Sequence, residues 1–239
     1  MAFQIFNKMT SLKMVKSAPE IIPTYTPNTL IISYSMDNNT NNTGTAGARY
    51  NGTLVGSASF NSTYKKRGTH SLYTSGTGSS VSVPKIYLTN GTNSNGFTVC
   101  LWILKPVIAG TGDVLVFGTG ANQFKINVYG GDAAGNYNVY FNVGSKQILT
   151  IAVGIGLDNN NWRFFAFTLT NNGTSSTATS YGYNSTGYNY GQTNSTFTYP
   201  TAAFTNNIIG NANVYLDDIR IYNYVLTRTN IDAIFNGTF

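Results

Sequence analysis

From Leu30 onward, apolar and polar residues alternate with a period of two, in short runs separated by clusters of Gly, Asn, Asp and Ser. That pattern predicts β-strands joined by tight turns. Leu30 to Met36 predicts a first strand, Asp37 to Gly47 a polar turn region, and Tyr50 to Phe60 a loosely alternating stretch. Ser71-Leu-Tyr73 and Ser80 to Pro84 predict short strands around a Gly-rich turn at 76–78. Val114 to Phe117, Phe124 to Tyr129 and Tyr137 to Val143 follow, with Gly-Asp and Gly-Asn turn pairs between them. Phe97 to Leu104 and Trp162 to Leu169 are apolar on both faces, as expected of strands buried in the middle of a sandwich. Ile208-Ile-Gly210 and Val214 to Tyr222 precede the one helical pattern, Thr227 to Phe235. There Thr227 can cap, and Ile231, Ile234 and Phe235 fall at helical spacing. The whole predicts an all-β fold: a two-sheet antiparallel jelly-roll β-sandwich with one short C-terminal helix.

Residues 1–27 follow a different pattern. They hold three of the four methionines, and Pro19, Pro23 and Pro27 recur at every fourth position. Such spacing disfavours both helix and central strand and predicts extended chain. The expected division is an N-terminal arm at 1–27 and one domain at 28–239. Phe3, Ile5, Phe6 and Leu12 have no evident core of their own; they are either contacts of an arm that docks on a neighbour or a frayed terminus.

Composition narrows the reading. Charged residues make up 9% of the chain, against roughly a quarter in an average soluble protein. Asn, Thr, Ser, Gly and Tyr replace them, while 41% apolar content is enough to build a core. The net charge of +6 is scattered; the only basic run, Lys65-Lys66-Arg67, reads as a solvated turn. No basic stripe with a reading motif occurs, so no nucleic-acid partner is expected. Lys8, Lys13 and Lys16 interrupt the N-terminal apolar residues, so no secretory signal is expected, and no apolar run is long enough to insert in a membrane. Cys100 is the only cysteine, and it sits in an apolar run as a buried thiol. Asn-x-Ser/Thr sequons recur from Asn38 to Asn236, at about the frequency that the Asn and Ser/Thr content produces by chance.

Several segments taken in order point to a family. Ser35-Met-Asp37, Arg67-Gly-Thr-His-Ser-Leu-Tyr73 and Gly78 to Pro84 are followed by Phe97-Thr-Val-Cys-Leu-Trp102 and Asn161-Trp-Arg-Phe-Phe-Ala-Phe-Thr168. Tyr181-Gly-Tyr-Asn184 and Leu216-Asp-Asp-Ile-Arg-Ile-Tyr222 complete the series. The chain resembles laminin-G-like domains of the concanavalin A-like lectin/glucanase superfamily over roughly residues 28–239. The resemblance implies two antiparallel sheets, one concave and one convex. Its members include lectins, glycoside hydrolases and structural modules, so function has to come from the residues.

Hydrolysis of a glycosidic bond needs two carboxyls flanking it. The only Glu is Glu20, in the arm, and adjacent Asp217 and Asp218 should point to opposite faces of a strand. His70, the only histidine, lies in Gly-Thr-His-Ser-Leu-Tyr, which reads as the start of a strand rather than a nucleophile elbow. No enzyme is expected. Asp217 shares parity with Ile219 and Ile221 and should point inward, where it needs a partner: Ca²⁺, an Arg or backbone N–H groups. Sugar recognition needs aromatic faces beside amides and hydroxyls, and residues 181–199 supply Tyr181, Tyr183, Tyr188, Tyr190 and Tyr199 among Asn, Ser and Gly. The alternative for that run is a strand pair whose tyrosines line one sheet face. Trp102 and Trp162 are expected to pack. Low charge suits a chain whose surface is covered by neighbours, and Asn/Ile/Tyr-rich, Glu-poor usage suits an AT-rich genome. The expected function is a non-catalytic structural, protein-binding module, a capsid-associated or surface component of a large DNA virus located in the virion. The alternative is a glycan-binding, lectin-like attachment module.

Overall fold

The computed structural model describes residues 28–88, 96–106, 111–129, 138–151, 161–172, 176–185, 187–200 and 203–239. The proposed arm, with Phe3, Ile5, Phe6 and Leu12, lies outside the described residues. In chain order the first strands are β1 (Leu30–Tyr34), β2 (Thr53–Val55), β3 (Ser59–Asn61), β4 (Ser71–Ser75) and β5 (Ser80–Val83). Next come β6 (Gly96–Leu104), β7 (Gly112–Thr119), β8 (Asn122–Tyr129), β9 (Asn138–Val143) and β10 (Lys146–Ile151). The last are β11 (Arg163–Thr170), β12 (Ser176–Asn184), β13 (Gly187–Phe197), β14 (Asn207–Gly210) and β15 (Asn213–Tyr222), followed by helix α1 (Arg228–Asn236).

They form two antiparallel sheets. The eight-stranded sheet runs β13-β12-β11-β6-β15-β4-β3, with β1 paired to β15 beyond the end of β4. The seven-stranded sheet runs β10-β9-β8-β7-β14-β5-β2. Consecutive strands pair in β7-β8-β9-β10 and β11-β12-β13, while β6, β14 and β15 pair with strands far away in sequence, as in a jelly roll. The main core lies between the sheets, where Phe97, Leu101, Phe165 and Phe167 of one face Phe117, Phe124 and Phe141 of the other. Phe141 stacks on Phe167 with centroids 4.8 Å apart.

A second, smaller core lies on the outer side of the eight-stranded sheet. Trp102, Phe164, Tyr183 and Tyr222 project there, and α1 covers them with Ile231 and Ile234. The helix is held at both ends. Thr227 caps its first turn, with Oγ1 accepting from Asn230 N and Asn230 reaching back to Thr227 N. Gly237 closes it in the left-handed conformation at φ 77°, and the Arg67 guanidinium donates to the carbonyls of Ile234 and Phe235. The molecule is thus layered helix, sheet, sheet. Burial of β6 and β11 on both faces has this physical cause: the sandwich core covers one side and α1 the other.

One register detail redirects a sequence expectation. Leu216 pairs with Ile103 and Ile221 with Val99, all facing the inter-sheet core, but the register shifts between Asp217 and Arg220. Asp218 takes φ 45°, which Asp tolerates better than most residues. The extra residue reverses the alternation. Asp217 therefore does not share a face with Ile219 and Ile221; it sits opposite Trp102, on the outer side.

Candidate ligand-binding face

The tyrosine-rich run forms the β12–β13 hairpin, with Tyr183 paired to Tyr188. Tyr183 is 1% exposed; its ring stacks on Phe235 at 4.9 Å and its hydroxyl donates to Asp232 Oδ1 at 2.7 Å. Burial, followed by that bond to Asp232, pushes its hydroxyl pKa well up. Tyr199, 4% exposed, belongs to the main core and meets Phe97 edge-on at 5.9 Å. Neither presents a ring to solvent, so Tyr183 and Tyr199 leave the expected ligand surface because packing has already used their faces. Tyr181 and Tyr188 are half-buried beside them, and the Arg228 guanidinium lies 3.8 Å from the Tyr188 ring centroid. The side chain of Tyr190 lies outside the described residues. The five tyrosines do not form one platform: Tyr181, Tyr183 and Tyr188 line the sheet face beneath α1, and Tyr199 lies in the inter-sheet core.

The carboxylates are occupied with structure. Asp217 is fully buried, and its Oδ2 accepts from the backbone N–H groups of Lys66 (2.8 Å) and Arg67 (2.9 Å). Burial raises its pKa to about 7 against the opposing pull of those N–H groups. Asp218 pairs with Arg67 at 3.1 Å and Arg220 at 2.8 Å. Asp37 accepts from the N–H groups of Thr69 and His70 and from the Thr69 hydroxyl. Burial alone would raise its pKa, but these bonds outweigh it and hold the carboxyl below its ordinary range. His70 immediately precedes β4, its Nδ1 3.0 Å from Thr69 Oγ1. Cys100 is buried in the second core, which pushes its thiol pKa up. Among the described residues, no three His, Cys, Asp or Glu side chains come together as a metal-binding group.

A surface with suitable chemistry lies on the outer side of the seven-stranded sheet, where Tyr129 is exposed and its neighbours on β8 and β9 are half-buried. Strands β8 and β9 alternate strictly, so Phe124, Ile126, Val128, Val139, Phe141 and Val143 fill the core. Lys125, Asn127 and Tyr129 then point outward beside Asn142, Tyr140 and Asn138, their respective cross-strand partners. Strand β7 adds Asp113, opposite Asn127, and β10 adds Gln147 and Thr150. The groups are pre-oriented by one another. Asn142 Nδ2 donates to Asn127 Oδ1 at 2.6 Å, Gln147 Nε2 to Thr150 Oγ1 at 2.9 Å, and Lys125 pairs with Asp113 at 3.3 Å. Tyr129, 57% exposed, lies 5.8 Å from the Tyr140 ring. Two aromatic rings therefore stand beside a fixed lattice of amides, hydroxyls and one ion pair. At the other end of the strands a cavity of about 270 Å³ is lined by Ala121, Val143, Gly144, Ser145, Lys146, Phe197 and Thr198. Sequence reasoning missed this face. The available pattern was the strict alternation of Gln123 to Tyr129 and Asn138 to Val143, whose outward halves are amides and tyrosines with Lys125.

A sandwich with this strand order defines a class, and sequence comparison agrees. Residues 75–232 match a laminin-G-type model of the concanavalin A-like lectin/glucanases superfamily, and the chain belongs to that superfamily. Among solved structures, it is similar to the binding domain of botulinum neurotoxin serotype D/C VPI 5993 at TM-score 0.61 and 16% identity, covering 88% of this chain and 52% of that one. The D/C binding domain in complex with rat synaptotagmin II superposes at TM-score 0.59 with 15% identity, with the same coverage of 88% and 52%. A structure of botulinum neurotoxin type C, described by that toxin's interaction with two ganglioside molecules, gives TM-score 0.60 at 15% identity, covering 88% and 51%. The chain spans about half the length of these neighbours, and identities this low establish a shared fold. No curated protein matches the sequence.

Proposed function

We propose that this protein is a non-catalytic, glycan-binding, lectin-like module, and that it binds sugar on the open face of the seven-stranded sheet. The observation that carries the reading is the paired arrangement of Tyr129, Tyr140, Asn127, Asn138 and Asn142 on two adjacent strands. A pyranose presents an apolar C–H face and a rim of hydroxyls. Tyrosine rings suit the first and amides, which donate and accept, suit the second. Placement on strands rather than loops keeps the groups in register, so little ordering entropy is lost on binding. The non-catalytic part of the proposal is supported by the carboxylates: Asp37, Asp217 and Asp218 are tied to backbone N–H groups or arginines, and Asp113 to Lys125.

A glycan array with the full chain tests this. Saturable binding to a defined set of sugars, reduced about tenfold or more by Tyr140→Ala, is the expected result. Absence of binding, or binding indifferent to Tyr140→Ala and Asn142→Ala, overturns it. A second reading, a virion structural component of a large DNA virus, is favoured by the 9% charge content, which lowers the repulsion between neighbouring copies. It replaces the first if the array is blank and the protein is recovered from purified particles.

A further inference from the structure

A third tyrosine group lies on the outer side of the eight-stranded sheet, beyond the reach of α1. Tyr73 and Tyr215 are cross-strand partners on β4 and β15, with rings stacked at 4.7 Å and 29°. Tyr64, from the loop before β4, packs on Tyr215 at 4.9 Å and is 41% exposed. Hydroxyls surround the stack: Ser59 is the neighbour of Tyr73 on β3, and Ser57 and Ser75 share a hydrogen bond at 2.6 Å on the exposed side.

The loop that brings Tyr64 to this position is fixed by three side chains. Asn61 Oδ1 accepts from the N–H groups of Thr63 and Tyr64, at 2.9 and 2.7 Å. The Ser71 hydroxyl donates to the Tyr64 carbonyl. Asp217 holds Lys66 N and Arg67 N. The same loop carries Lys65-Lys66-Arg67. Arg67 is spent on Asp218 and the end of α1. Lys65 and Lys66 are exposed, Lys65 Nζ resting 3.0 Å from the Ser62 carbonyl and Lys66 Nζ lying 4.2 Å from the Trp102 ring. No ion pair joins either to a carboxylate among the described residues. Of the carboxylates nearby, Asp217 is buried beneath the loop, within reach of the Lys66 charge, and Asp218 lies between two arginines. What faces outward is an aromatic stack with a hydroxyl border, beside exposed Lys65 and beside Lys66, whose ammonium lies over the Trp102 ring.

The geometry points to a second binding site here, for an acidic sugar: the Tyr64–Tyr215–Tyr73 stack supports the ring, and Lys65 and Lys66 carry its carboxylate or sulfate. The site extends the glycan-binding reading to a separate face and ligand charge. Isothermal titration of the full chain with 3′-sialyllactose and with lactose tests it. Sialyllactose binds more tightly than lactose. Tyr64→Ala weakens that binding about tenfold, and the double variant Lys65→Ala, Lys66→Ala brings sialyllactose down to the level of lactose. The preference for sialyllactose over lactose persists in Tyr129→Ala, which removes a ring of the other face only. Equal affinity for the two sugars, or a preference for sialyllactose that survives both Tyr64→Ala and the double lysine variant, overturns the inference. Failure of the neutral-sugar face appears separately, as lactose binding that Tyr129→Ala does not alter.

Discussion

The Asp217 carboxylate sits at the centre of the loop network and carries a pH signature. Its folded pKa of about 7 lies above the ordinary value of 3.8, because burial disfavours the charged form. A raised carboxyl binds its proton more tightly in the folded state, so its contribution is fully favourable below pH 3.8 and is lost as pH rises towards 7. Asp217→Asn keeps an acceptor for Lys66 N and Arg67 N without the buried charge. The melting temperature of the variant, taken relative to the parent, should rise steadily from pH 4 to pH 7. A difference that stays flat or falls over that range would show that the charge is not penalised. Asp37, held by three donors on its surface turn, has the opposite sign and is common to both proteins, so it cancels in the comparison. The need of Asp217 for a partner was readable from its place in an apolar strand, whereas the choice among Ca²⁺, an Arg and backbone N–H groups was not. Its direction was not, because the bulge at Asp218 has no glycine to announce it and reverses the parity on which the reading relied.

At the level of elements, local chemistry was legible and lateral packing was not. Thr227, Asn230 and Gly237 mark the ends of α1, and the helix forms at Arg228–Asn236, as the spacing of Ile231 and Ile234 predicts. Nothing in nine residues says which surface they cover. Two-sided apolar strands were read as the middle of a sandwich, whereas their second face exists because α1 lies on it. Strand β10 went unassigned because a bulge between Gln147 and Leu149 breaks its alternation. Since α1 seals one sheet face and the proposed sugar site occupies the other, the two should respond independently. Ile234 is fully buried, so Ile234→Ala should cost about 2–4 kcal/mol in urea unfolding while leaving glycan affinity unchanged. Loss of affinity in the folded variant would place the ligand near the helix instead.

For the whole molecule, the asymmetry between the two outer faces matters more than the density of tyrosine. Residues 181–199 attract attention in the sequence, yet packing under α1 and in the main core takes the rings of Tyr183 and Tyr199. The open face is spelled in a thinner code, every second residue of β8 and β9, and only pairing those strands brings Lys125 to Asn142, Asn127 to Tyr140 and Tyr129 to Asn138. An amide chemical-shift titration of the full chain, with the strongest neutral glycan from the array, reads this surface directly. The account predicts the largest shifts at residues 125–129 and 138–142, with α1 and the β12–β13 hairpin unmoved. Shifts centred on Tyr181, Tyr188 and α1, with β8 and β9 silent, would contradict it.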